Sequence, residues 1–142
     1  MSGSERELFQ EIVVERSTAV GMRVKGPNFR PNSLPALQAA EVARSQGKFD
    51  EFRPRLFDAY WVENSNIGHL EVLQRVASSA GMDPRLLEQE LAAAAYLPAI
   101  EAAVAEVGMI RRKVLPLFRW DGFVMYGLPR EYNSLRRLID MK

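Results

Sequence analysis

Glycine and proline punctuation limits what the first 108 residues can become. Gly21, Gly47, Gly81 and Gly108, with the steps Gly26-Pro27, Arg30-Pro31, Asp83-Pro84 and Pro98, cut this stretch into pieces. Each piece has the length of an ordinary helix, roughly 8–20 residues, and apolar side chains at helical spacing. In the first, "SERE" at Ser4 to Glu7 has the spacing of a capping box, Leu8, Ile12 and Ala19 form an apolar stripe, and Gly21 is the stop. The segment "MRVKGPNFRPNS" is then irregular, because a residue before proline avoids the helical region. The next helix is "LPALQAAEVARSQG", with Asn32 or Ser33 as N-cap, Pro35 in the first turn and Gly47 at the end.

A third helix is expected from Phe52 to Val62, since Pro54 belongs near a helix start and Phe52, Leu56 and Tyr60 follow at helical spacing, with "ENSN" as the closing turn. A fourth begins at Gly68 or His69, carries Val72, Leu73, Val76 and Ala80 inward, and stops at Gly81. Asp83 then caps a fifth helix with Pro84 in its first position and Leu87, Leu91 and Ala94 on its buried side. The sixth, "PAIEAAVAEVG", turns Ile100, Val104 and Val107 to one face.

Beyond Arg111-Arg112-Lys113 the period changes. "VLPLFRW" and "FVMYG" are short, aromatic and β-branched, and Asp121-Gly122 lies between them. A two-residue Asp-Gly connection between such runs signals a hairpin, because both central residues of that turn need positive φ. Strands are expected at Val114 to Trp120 and Phe123 to Tyr126, and a last helix from about Arg130 to Asp140 presents Leu135, Leu138 and Ile139. The fold class is mainly α with a small β part (α+β). One domain over 1–142 is expected: an opening helix and extended segment (1–24), a helical subdomain (25–108) and a ββα portion (109–142).

Composition excludes several functions. The chain has 142 residues, 47% of them hydrophobic, which suits one globular domain with a core. Nineteen basic residues against 18 acidic give a net charge of +1, so no overall field favours nucleic acid or anionic lipid. The opening "MSGSERELFQ" lacks the basic and apolar regions of a signal peptide, and no apolar run of about 18 residues occurs, so a soluble cytoplasmic protein without membrane contact is expected. With no cysteine and a single histidine, His69, the chain offers neither a thiolate nor a His-rich metal cluster.

Three stretches carry a resemblance: "FRPNSLPALQAAEVARSQGK", "LFDAYWVENSNIGHLEVLQRVASSAGMD" and "VLPLFRWDGFVMYGLPREYNSLRRLI". They resemble the later part of DsbA-like thioredoxin-fold proteins, in the branch of the FrnE-type proteins, the 2-hydroxychromene-2-carboxylate isomerases and the kappa-class glutathione transferases. In that branch a "PNT" or "NS" motif opens a helical insertion, an "LF.AYW.E..NI" segment follows and a "VP.F" strand closes it; Asn32-Ser33, Leu56 to Ile67 and Val114 to Phe118 stand at those places. The resemblance runs from about Val14 to Ile139. It implies an incomplete thioredoxin-like fold, for the family's Cys-x-x-Cys pair or glutathione-activating serine precedes the helical insertion, and this chain is expected to begin after it. "MIRRKVL" is longer than the usual connection there.

By resemblance, Leu115 and Pro116 inherit the substrate- or glutathione-binding backbone at the strand entrance, with the Leu115-Pro116 bond cis, and Asn32 forms a wall of the ligand cleft. The plainer alternatives are an edge strand opened by Pro116 and a helix cap at Asn32. Tyr60 and Trp61 could stack on a substrate but have the spacing of core aromatics. His69 reads as a surface residue, Ser33 and Ser78-Ser79 have no assignable triad partners, and Arg111, Arg112 and Lys113 read as a solvated connector that could hold a phosphate or carboxylate. No catalytic residue and no metal ligand is assigned. The expectation is a truncated relative without redox catalysis, acting as a binding or oligomerisation module; the alternatives are a glutathione-dependent isomerase or transferase or a DsbA-type oxidoreductase subunit, its catalytic half supplied by another chain, and a structural or regulatory subunit that recognises a protein partner. Its partner is a second copy or that separately encoded half, and glutathione is the one cofactor the resemblance allows.

Overall fold

A computed structural model describes residues 3–25, 27, 29–108, 117–120 and 123–126. By contacts the chain falls into two compact units, Met1–Glu101 and Ala102–Lys142, and the boundary lies inside a helix. The helices are α1 (Gly3–Ala19), α2 (Leu34–Ser45), α3 (Phe49–Trp61), α4 (Leu70–Ser79), α5 (Pro84–Ala93) and α6 (Leu97–Gly108), followed by strands β1 (Leu117–Trp120) and β2 (Phe123–Tyr126). The mainly helical character read from the sequence is therefore observed.

The core of the first unit lies among α2, α3, α4 and α5, which pack on one another. Its buried residues are Ala36, Ala39, Val42 and Ala43 from α2, Phe52 and Ala59 from α3, Leu73, Val76 and Ala77 from α4, Ala80 and Met82 just beyond it, and Leu87 from α5. Half of these are alanines, which let the helix backbones approach while Phe52, Leu73, Leu87 and Val42 fill the space between them.

The glycine stops work through one geometry. At the end of α2, Gly47 takes φ +65°, Lys48 N–H donates to the Ala43 carbonyl at 2.8 Å and Gly47 N–H to Arg44 at 3.1 Å. That is a Schellman closure, and only a residue without Cβ takes its left-handed position without cost. Gly81 (φ +73°) repeats it after α4, where Met82 N–H reaches the Ala77 carbonyl at 2.9 Å and the Met82 side chain is buried.

Two expectations need correction, at Ser4 and at the start of the third helix, and two apolar faces prove exposed. α1 is assigned from Gly3, so Ser4 lies in its first turn and is not its N-cap. The stripe through Ile12 is not buried: Ile12 is 38% exposed, Ala19 is exposed, and among the described residues α1 packs against no other helix or strand. Val104 on α6 is 64% exposed for the same reason, since α6 also lacks a packed partner element among those residues. Finally, α3 begins at Phe49, which places Pro54 inside the helix. The Schellman turn ends at Lys48, whose carbonyl accepts from Phe52 N–H at 2.9 Å, so the helix starts before proline can open it. Proline in a helix interior costs about 3 kcal/mol. Complete burial of Phe52 and the Arg44 guanidinium stacked 3.9 Å from the Phe49 ring centroid offset that cost.

In the second unit β1 and β2 form an antiparallel pair with the register Leu117↔Tyr126, Phe118↔Met125, Arg119↔Val124 and Trp120↔Phe123. The connection is thus two residues long, as Asp121-Gly122 demands. Residues 114–116 of the expected first strand and the helix expected from Arg130 to Asp140 lie outside the described residues.

Candidate functional site

The residues that the resemblance singles out fall into two groups. Leu115 and Pro116, with the isomer of their peptide bond, and Arg111 to Lys113 lie outside the described residues. Asn32 is described, and its surroundings can be built up.

Asn32 ends the irregular connection between α1 and α2, and that connection is pinned at several points. Lys25 N–H donates to the Trp61 carbonyl at 2.9 Å. Four residues on, the Tyr60 hydroxyl donates to the Phe29 carbonyl at 3.3 Å, and the two rings meet edge to face with centroids 6.3 Å apart. Trp61 packs edge to face on Tyr60 at 5.0 Å. These aromatics therefore tie the connection to the end of α3, the structural role that their helical spacing suggested. Burial pushes the Tyr60 phenol above its ordinary 10.0, and the positive charge of Arg30 pulls it partly back.

Asn32 itself performs the capping, one residue before the formal N-cap. Its Oδ1 accepts from Leu34 N–H at 3.1 Å, whereas Ser33 occupies the N-cap position without a side-chain bond. The other wall is the loop before α4. Asn66 Oδ1 accepts from Gly68 N–H at 3.0 Å, which fixes the amide so that Asn66 Nδ2 faces His69 Nε2, also at 3.0 Å. Gly68 lies so close to the connection that a Cβ there would stand 2.7 Å from the Asn32 carbonyl oxygen. Sequence reasoning used Gly68 only as a helix boundary and missed this contact. The available signal was "NIGH", where an isolated glycine beside an asparagine marks a close backbone approach.

This arrangement braces a loop and supplies hydrogen-bonding edges, but assembles no acid–base or nucleophilic pair. His69 is exposed at the N-cap of α4. Ser79 spends its hydroxyl on the Val76 carbonyl at 2.8 Å. Arg75 holds Glu63 at 2.8 Å and Ser65 at 3.2 Å, an exposed pair worth little. No group of three or more metal-ligating side chains occurs among the described residues.

The braced connection, the alanine-rich helical core and the terminal ββ unit follow one another along the stretch matched by the model of the DSBA-like thioredoxin domain, residues 6–128. The chain belongs to the DsbA-like thioredoxin domain family. A curated relative, the uncharacterized protein YwbO of Bacillus subtilis (strain 168), is 24% identical over 95 residues, covering 66% of this chain and 48% of that protein. The chain spans about half the length of the curated relative it matches. No solved structure matches. Among the described residues this DsbA-like chain has no helix long and apolar enough to cross a membrane.

Proposed function

We propose that these 142 residues serve the DsbA-like family as a binding or oligomerisation module, without thiol catalysis of their own. The observation that carries this reading is the family match over residues 6–128 in a chain with no cysteine. Thiol–disulfide exchange passes through a mixed disulfide and needs a protein thiolate to attack or leave. An insulin-reduction assay with glutathione controls tests it; turnover by the chain above the control would overturn the reading.

The partner in this reading is a second copy of the chain, and the hairpin supports it. Two strands alone make a marginal sheet, and among the described residues no third strand pairs with either. Phe118 and Met125 stand opposite each other in the register and are half-buried, and Val124 is 39% exposed. Unpaired strand edges are self-complementary, and two-fold closure is the commonest way to cover them. Light scattering after size exclusion is expected to give twice the chain mass at micromolar concentration.

A second reading is favoured by the bracing of Asn32. An exposed asparagine held against Gly68 suits one wall of a glutathione or substrate cleft, completed by Leu115 and Pro116 and by a catalytic half on another chain, as in the isomerase and kappa-class transferase branch. Calorimetric binding of glutathione that Asn32→Ala weakens would favour this reading over the first.

A further inference from the structure

An open cleft of about 880 Å³ lies in the first unit between the end of α1 and the end of α3. It is within the size range of small-molecule sites, roughly 300–1,000 Å³. None of Asn32, Asn66, Gly68 and His69 lines it, and it stands apart from both readings of the function.

The lining combines apolar and charged side chains. Met22 and Val62 supply apolar surface, and Arg23, Lys25, Asp58 and Glu63 supply charge of both signs. The charges are not equally committed. Glu63 is held by Arg75 at 2.8 Å, while Arg23, Lys25 and Asp58 enter no salt bridge among the described residues. Backbone carbonyls of the two helix ends are occupied too: Ser17 accepts from Met22 N–H at 2.8 Å and Asp58 from the N–H groups of Val62 and Glu63, both at 2.9 Å. What remains to meet a ligand is two cations and Met22 on the segment that follows α1, and one carboxylate and Val62 at the end of α3. Met22, 58% exposed, stays uncovered without a ligand.

We propose that this cleft binds the ends of a short apolar peptide, its carboxylate on Arg23 and Lys25, its ammonium on Asp58 and its side chains against Met22 and Val62. A purely anionic ligand would leave Asp58 facing it, and a purely cationic one would meet two like charges. The zwitterion satisfies the charges of both segments. Because α1 packs on no other element among the described residues, the ligand also ties the end of α1 to α3.

The test uses the full chain labelled with ¹⁵N and titrated with leucyl-phenylalanine, its C-terminal amide and its N-acetyl derivative. The dipeptide is expected to shift the amide signals of Met22 and Val62 saturably, with the amide binding about tenfold more weakly, as loss of a charge-assisted contact implies. The double variant Arg23→Gln, Lys25→Gln is expected to bind acid and amide alike, and Asp58→Asn to bind free and acetylated peptide alike. These residues are exposed, so the variants keep the fold. Failure to saturate at millimolar peptide, equal binding of the three ligands by the unaltered chain, or an unchanged preference in either variant would overturn the proposal.

Discussion

The contrast between α1 and the α2–α5 bundle shows what apolar content alone does not decide. α1 is the longest helix among the described residues, 17 residues, yet it packs there on no other element, and Ile12 and Val14 remain 38% and 36% exposed. α4 has only 10 residues and buries Leu73, Val76 and Ala77 to 2% exposure or less. The difference lies in angular placement. At about 100° per residue, Val72, Leu73, Val76, Ala77 and Ala80 fall within an arc of about 140°. Ile12, Val13 and Val14 spread over about 200° by the same count, which gives them no single face to bury. Both segments are helical; only one is a core element.

The largest expected effect contrasts the two regions directly. Phe52 is fully buried where α3 meets α2 and α4, and Phe52→Ala removes its contacts and leaves a cavity. A loss of about 3–5 kcal/mol is expected in urea denaturation. Ile12→Ala in α1 should change stability by less than about 0.5 kcal/mol, since surface changes away from packed features have little effect. Equal losses at the two positions would mean that α1 is covered in solution.

Gly68→Ala asks whether the irregular connection belongs to the bundle. The new Cβ would stand 2.7 Å from the backbone oxygen of Asn32 and 3.1 Å from Asn66 Oδ1, so a backbone segment has to move. About 1–3 kcal/mol of destabilisation is expected, together with displaced amide signals at Asn32 and Leu34. A neutral substitution would show that residues 29–32 ride loosely over the loop before α4.

A smaller effect, of opposite sign, sits where α5 gives way to α6. Ala94 adopts φ +51°, the left-handed region, and its carbonyl accepts from Leu97 N–H at 3.0 Å. A side chain there is strained, so Ala94→Gly should stabilise by about 0.5–1 kcal/mol. Thermal melting checks the sign. A decrease would place the cost of the extra backbone freedom above the strain.

These positions also mark how far the sequence could be read. Gly47 and Gly81 were legible because a glycine after an apolar stripe has a local meaning, and Asp83, whose Oδ1 accepts from Arg85 N–H at 2.8 Å, announced its helix in the same way. Asp121-Gly122 set the two-residue connection for a similar reason. The start of α3 was not legible. Pro54 argues for a boundary on its own, and what overrules it is tertiary: the turn ending at Lys48, the stacked Arg44 and the burial of Phe52. The site was legible only in outline. Asn32 stood out as a cap or a ligand wall, but its neighbour Gly68 lies 36 residues away along the chain, and no local pattern joins them.

The smallest effect tests how firmly the connection seats on α3. Burial raises the Tyr60 phenol above 10.0 in the folded chain, with Arg30 opposing, while an unfolded tyrosine stays near its ordinary value. Below that value Tyr60 is protonated in both states, and the full contribution of its neutral, hydrogen-bonded form is present. As pH rises above 10.0 the unfolded chain releases the proton first, so the folded state binds more protons and stability falls until the folded phenol also ionises. Tyr60→Phe should cost about 0.5 kcal/mol at neutral pH, by removing the long bond, 3.3 Å, to the Phe29 carbonyl. It should also flatten the fall of stability on the alkaline side. Every other ionisable group is common to the two proteins, so the difference between the two stability–pH curves isolates Tyr60. Curves that stay parallel through the alkaline range would mean that the ring is solvated and that Phe29 does not hold the connection against α3.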